Sequence, residues 1–156
     1  MSTPDQPNES ESDQIRTTLR SILFHSLPWP EVGEVAKLGQ IDKYESGALI
    51  IRENEIIRGL HVLLSGRAEV RKAQGTKVTT LEAGNFFGEI SILGESVSTT
   101  ASVVADGPCA VMSFGRQQFD NWLKEHPEHE SRILRNLALE LCKRLHATTD
   151  RILGNP

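Results

Sequence analysis

The stretch 84-GNFFGEISILGESVSTTASVVA-105 decides how this chain is read. A strand ends near Phe86 and Phe87, and Gly88 follows, where the lack of a side chain lets a ligand approach the backbone. Glu89 to Leu93 offers one short helical turn, whose first N–H groups have no partner inside the helix and point outward. Such a helix start binds phosphate through backbone donors and the local dipole. Phe87, Gly88, Glu89, Ile90 and Ser91 are therefore the candidate ligand-binding residues of this turn. A carboxylate at Glu89 would repel phosphate, so it must face another part of the ligand, and a ribose hydroxyl is the natural partner. Taken alone, Gly88-Glu89 reads more simply as a strand-to-helix turn with a surface carboxylate. The stretch also contains no Lys or Arg, which is unexpected in a phosphate cradle.

Outward from this turn, residues from about 40 to 114 alternate short β-rich runs with turn residues. The runs include "QIDKY", "ALIIR", "LHVLLS", "AEVRKA", "KVTTLEA" and "AVMSF", separated by glycines such as Gly47, Gly66, Gly75 and Gly107. Runs this short and this evenly spaced predict a compact antiparallel barrel or roll.

Helical spacing flanks the β-region. Ile15, Leu19, Ile22 and Leu23 lie on one face of a first helix, with Asp13 as its expected N-cap and Pro28 and Pro30 as its end. "EVGEVAKL" adds one or two further turns. After Gly115, Phe119, Trp122 and Leu123 share a face, and Pro127 separates this helix from a long last one over about 128–153. With Leu134 as zero and about 100° per residue, Leu137, Leu141, Leu145, Thr148 and Ile152 fall within roughly 80° of arc. This narrow seam has nearly coiled-coil spacing, and a second copy of the same helix is its simplest partner. The predicted dimer seam is Leu134, Leu137, Leu141, Leu145 and Ile152.

Composition limits the function classes. The chain has 156 residues, 38% apolar and 24% charged, which suits one globular domain. No apolar run has the length of a membrane helix, and the polar, acidic start lacks the pattern of a secretory signal, so a cytoplasmic protein is expected. Residues 1–13 are read as a disordered acidic tail and 14–156 as the domain. The net charge is −4, and the first fourteen residues hold four acids and no base, so the rest of the chain is balanced. That is not the footprint of a nucleic-acid binder. The basic clusters Arg67, Arg71, Lys72 and Lys143, Arg144 alternate with apolar residues and read as solvated faces. Cys109 and Cys142 read as two buried, reduced thiols, and the close pair His126, His129 as a solvated helix end. No metal or cofactor is expected. No Ser-His-Asp spacing, phosphate-binding Walker loop or paired carboxylates point to catalysis, so the chain is read as non-enzymatic.

Taken in order, "Y-x-x-G" at Tyr44–Gly47, "LHVLLSGRAEV", "GNFFGEISIL", "TASVVA" and "KRLHATTDRIL" resemble the cyclic nucleotide-binding domain family. The family includes sensor domains like that of the catabolite activator protein. The likeness runs from about 15 to 153. It implies an α+β, mainly β fold: an antiparallel, jelly-roll-like β-roll with N-terminal helices and a long C-terminal helix that closes over the nucleotide base. By resemblance, Gly88 and Glu89 match the family's Gly-Glu, whose carboxylate accepts from the ribose 2′-hydroxyl. The family's phosphate-binding arginine falls at Thr99, followed by Thr100 and the strand Ala101–Ala105. Thr148 and Thr149 match hydroxyl residues that contact adenine, one of them across the dimer. Related regulators often continue into a helix-turn-helix domain. This sequence ends just after the dimer helix, so direct DNA binding is not expected, and either a stand-alone module or a piece of a longer regulator fits.

Three readings stay open at this point. The pocket binds a cyclic nucleotide (cyclic AMP or cyclic GMP) weakly or atypically, with Arg52, Arg58 or Arg67 as a substitute cation. Alternatively, a degenerate fold serves dimerisation or a protein partner without nucleotide. In the third, the pocket takes a ligand whose charge does not sit at Thr99.

Overall fold

In the computed structural model, residues 8–57, 59–72, 75–88 and 98–154 are described. Two helices, α1 (Glu9–Ser21) and α2 (Trp29–Leu38), precede strands β1 (Gly39–Tyr44), β2 (Leu49–Ile51), β3 (Gly59–Arg71), β4 (Lys77–Leu81), β5 (Phe86–Phe87) and β6 (Ser102–Gly115). Helices α3 (Arg116–Glu125) and α4 (Pro127–Leu153) follow. The fold is α+β, with an antiparallel sheet between N-terminal helices and a long C-terminal helix, as the sequence implied.

Strands β3 and β6 are the spine of the sheet. They pair antiparallel from Gly59↔Gly115 to Arg71↔Ser102. β1 adds to one half of β6, from Gly39↔Phe114 to Tyr44↔Cys109, and β2 to the other half. On β3, β4 pairs with the distal part and β5 pairs His61↔Phe87 and Val62↔Phe86. The β3–β6 register shifts on either side of Ser65, and Gly66 next to it has φ +78. A Cβ at Gly66 would lie 2.2 Å from the Pro108 carbonyl oxygen, so only glycine fits this bulge.

Alternation along the spine creates two cores. Leu60, Val62 and Leu64 of β3, with Met112 and Phe114 of β6, face the helices and join Leu19, Phe24, Val32, Phe119, Ile133 and Leu137. Leu63 and Ala68, with Val103, Ala105, Cys109 and Val111, face the inside of the roll. Edge-to-face contacts of Phe24 with Phe114 and Phe119, both at 6.1 Å between centroids, tie the α1–α2 connection to β6 and α3.

Several local expectations change. Helix α1 begins at Glu9, with Asn8 as N-cap rather than Asp13. The Asn8 side chain accepts from the Glu11 N–H at 2.8 Å, and the Glu11 carboxylate accepts from the Asn8 N–H at 3.0 Å. This reciprocal box, with acids beside the positive helix end, makes part of the supposed acidic tail a helix start. Pro30 does not end α1; it occupies the first turn of α2, where its missing N–H has no helical partner to lose. Cys142 is exposed, while Cys109 is buried, and both are free.

His126 and His129 are not a solvated helix end. The corner between α3 and α4 folds against α2, leaving His129 only 7% exposed. Their rings stack with Trp122 at 4.5 and 6.2 Å between centroids. His126 Nε2 lies 3.5 Å from Glu34, and His129 Nε2 3.9 Å from Glu31. No group of His, Cys, Asp and Glu among the described residues is placed to hold a metal. No helix among them is long and apolar enough to cross a membrane.

The predicted helical seam divides. Leu137 is 3% exposed within its own chain's core and Leu141 packs against that core, whereas Leu134, Leu145 and Ile152 face outward. The spacing predicts that the seam meets a second copy as one face; Leu137 instead joins Ile133 in the chain's own helix-facing core.

Candidate functional site

A cavity of about 440 Å³ opens between the roll and the C-terminal half of α4. That volume is within the range of small-ligand sites. Its apolar floor includes Ile51, Val70, Leu81, Phe87 and Val103, and its wall includes Gly88 and residues Ser98–Ala101. Phe87 and Gly88 arrive there because β5 pairs with β3 next to His61. Gly88 has φ +76, and a Cβ on it would come within 2.5 Å of the Gly59 carbonyl oxygen and 2.9 Å of Ile57. The glycine is thus required by its own turn and by the neighbouring strand. Ligand approach, the reason inferred from the sequence, is an additional consequence of its place on the wall. Glu89, Ile90 and Ser91 lie outside the described residues.

Thr99 and Thr100 both line the cavity. Thr99 is held by a two-way backbone ladder: its N–H donates to Glu55 O at 2.8 Å and its carbonyl accepts from Asn54 N at 2.9 Å. Its hydroxyl donates to the Arg52 carbonyl at 2.8 Å. A hydroxyl has one proton to donate, so Thr99 in this arrangement keeps only acceptor capacity toward an anion. The Ser102 hydroxyl is engaged in the opposite sense, accepting from the Glu53 N–H at 2.9 Å.

Two of the proposed substitute cations, Arg52 and Arg67, do not line the cavity. Arg52 pairs with Glu55 at 3.7 Å and Arg67 with Asp106 at 3.9 Å, both largely exposed. Arg58 lies outside the described residues. Lys72 Nζ donates to the Thr100 carbonyl and lies 3.9 Å from Glu53, also off the lining.

Among the described residues, the cations that line the cavity come from α4. Arg144 and Arg151 face it, seven residues apart, with Thr148 between them. Arg144 Nη2 donates to the Phe86 carbonyl at 2.7 Å, its guanidinium lies 4.6 Å over the Phe86 ring, and its Nε is 3.8 Å from Glu140. Arg151 Nη1 donates to the Val78 carbonyl at 2.6 Å. Thr148 donates back to the Arg144 carbonyl at 2.9 Å, while Thr149 is exposed and off the lining. The Thr pair is therefore split between cavity and outer surface. Arg144 is not part of a solvated face, although the sequence read it as one; its side chain is 31% exposed. The 4-then-3 spacing of Arg144, Thr148 and Arg151 continues the face of Ile133, Leu137 and Leu141, and that continuation was the available sequence signal.

Beneath Phe87, His61 stacks on its ring at 5.1 Å and 11°. Burial holds the imidazole below the ordinary 6.5, with the Gly59 backbone and the Asp42 charge opposing.

Comparison with known proteins agrees with this architecture. The profile described as "Cyclic nucleotide-binding domain" matches residues 41–126. Glutaminase 1 of Bradyrhizobium diazoefficiens is 33% identical over 123 residues, covering 79% of this chain and 20% of that protein. Human cGMP-dependent protein kinase 2 is 25% identical over 118 residues, covering 72% of this chain and 16% of the kinase. This chain thus spans about a fifth or less of the length of these curated relatives. Among solved structures, a cyclic nucleotide-binding domain from Methylobacillus flagellatus superposes with a TM-score of 0.81 at 23% identity, over 94% of this chain and 85% of that one. The catabolite activator protein of Thermus thermophilus gives 0.69 at 26%, over 83% and 61%. The profile match covers more than half of the residues and runs from Ile41, within β1, to His126, just after α3: this chain belongs to the cyclic nucleotide-binding domain family.

Proposed function

We propose that this domain is a non-enzymatic regulatory sensor that binds a cyclic nucleotide, cyclic AMP or cyclic GMP, in an atypical way. Pocket occupancy would be coupled to the position of α4 and hence to the geometry of a homodimer. The observation that carries this reading is the cavity itself. It joins the Phe87–Gly88 turn, the Thr99–Thr100 wall and the C-terminal half of α4 around one space of ligand size. Anything that fills the space touches both the roll and the helix, which is the physical requirement for coupling. In this reading Thr148, which lines the cavity, is the helix hydroxyl that meets the base, and the exposed Leu134, Leu145 and Ile152 meet a second copy.

Isothermal titration calorimetry with cyclic AMP and cyclic GMP tests the reading, with binding in the micromolar to millimolar range expected. The absence of both binding heat and a thermal shift at millimolar ligand would overturn it. The Thr99→Arg variant, which restores a cation on the cavity wall, should tighten binding by about 2 kcal/mol, roughly thirtyfold.

A second reading has its own support. The Thr99 hydroxyl is engaged with the Arg52 carbonyl and offers nothing to a phosphate. A domain kept for dimerisation or for a protein partner, without nucleotide, would have that feature. It predicts that neither wild type nor Thr99→Arg binds nucleotide while the dimer persists.

A further inference from the structure

The cavity wall formed by residues Ser98–Ala101 has no cationic side chain, yet two guanidinium groups reach the same space from α4. We infer that the anionic group of the ligand is balanced from the helix side, by Arg144 and Arg151, instead of from the wall at Thr99. This rests on the nucleotide-binding reading and assigns that site its charge recognition.

Three observations carry the inference. First, the charge of the described lining is set by α4 alone: Arg144 and Arg151 against Glu140 leave one net positive charge. Second, both arginines are already positioned by fixed carbonyls, Phe86 O for Arg144 and Val78 O for Arg151. The Phe86 ring and Glu140 hold Arg144 further. A guanidinium has five N–H donors, so one carbonyl bond leaves capacity for a bidentate anion contact. Third, Phe86 is two residues from Gly88, so Arg144 sits beside the backbone turn expected to face phosphate. A side chain already oriented this way loses less rotamer entropy on meeting an anion than a free surface arginine.

The arrangement differs in kind from a cation on the roll. A wall-borne arginine would bind phosphate without involving the helix. Here each charge contact with the ligand is also a contact of α4, so recognition of the anion and placement of the helix use the same side chains.

The test compares each cyclic nucleotide with its uncharged nucleoside, adenosine or guanosine, by calorimetry on wild type, Arg144→Gln, Arg151→Gln and the double variant. Wild type should prefer the cyclic nucleotide. Each single variant should weaken cyclic nucleotide binding about tenfold, less than a fully buried charge would, because both sites are partly solvated. Nucleoside affinity should stay within about threefold, and Arg144→Lys should recover part of the loss. Thermal melts confirm that each variant is folded. If nucleotide and nucleoside weaken together, the arginines only latch the helix and the inference fails. If cyclic nucleotide binds and the double variant leaves its affinity within about twofold, the inference fails while the nucleotide reading stands. If wild type binds no cyclic nucleotide, both fall.

Discussion

The two halves of α4 share one helical period and differ in what holds them. In the first half, His129, Ile133 and Leu137 are 7%, 0% and 3% exposed and sit among α2, α3 and the helix-facing core. In the second, the residues on the same face are Arg144, Thr148 and Arg151, which line a cavity. Leu145, Ile152 and Leu153 there are exposed by 67%, 79% and 67%. The first half is anchored by buried apolar area, which is non-directional and removed only by unfolding. The second is tied to the roll by two side-chain bonds to carbonyls and by the Arg144 contact with the Phe86 ring, interactions that a ligand or a second chain can exchange for others of similar strength. A helix built this way has a root held by burial and an end held by exchangeable contacts, which suits the coupling proposed above.

The largest expected effect would break this contrast at its root. Leu137→Ala should destabilise the fold by about 3 kcal/mol, in the range of buried Leu truncations, while Leu145→Ala at submicromolar concentration should change it by less than about 0.5 kcal/mol. Denaturant titrations of the two variants compare them directly. Equal losses would show that the two halves are anchored alike.

The next effect concerns the exposed face. Leu145→Glu should halve the sedimenting mass if that face meets a second copy, because a desolvated carboxylate has no partner in an apolar seam. Leu145 is a cleaner probe than Leu141, which also packs on its own core. An unchanged mass removes the seam as a dimer contact.

The smallest effect is on pH dependence and lies on the cavity side. Burial lowers the folded-state pKa of His61 relative to the unfolded chain. Its contribution to stability is therefore present above about pH 6.5 and is lost as the pH falls through that value, where the unfolded state takes up the proton first. His61→Leu should reduce the loss of melting temperature between about pH 7.5 and 5.5. Identical pH slopes in variant and wild type would remove His61 as the source.

Much of this was legible from residue order. Short β runs broken by glycines gave the roll, and the 3.6 period gave α4 to within a residue of its start, because both signals are local consequences of side-chain alternation. The start of α1 was missed because acidic composition resembles a solvated tail, while its Asn8–Glu11 capping box is legible only when both ends of the pair are considered together. The site was half legible. Phe87, Gly88, Thr99, Thr100 and Thr148 do converge on one cavity, and Glu89, Ile90 and Ser91 lie outside the described residues. Arg144 reads as solvated because alternation with apolar neighbours is also the pattern of an exposed helix face, and Arg151 lies outside both basic clusters.

The sequence by itself determined the element types, the turn at Gly88 and the lack of a cation from 84 to 105, since each depends on residues close together in the chain. Only the tertiary structure decided where the cavity's charge comes from. Arg144 lies 58 residues from Phe86 and Arg151 lies 73 from Val78, so these contacts exist only once α4 has folded back over the roll. The direction of that return is set by the apolar packing of Ile133 and Leu137, which fixes the rotation of the helix and turns both guanidinium groups toward the cavity.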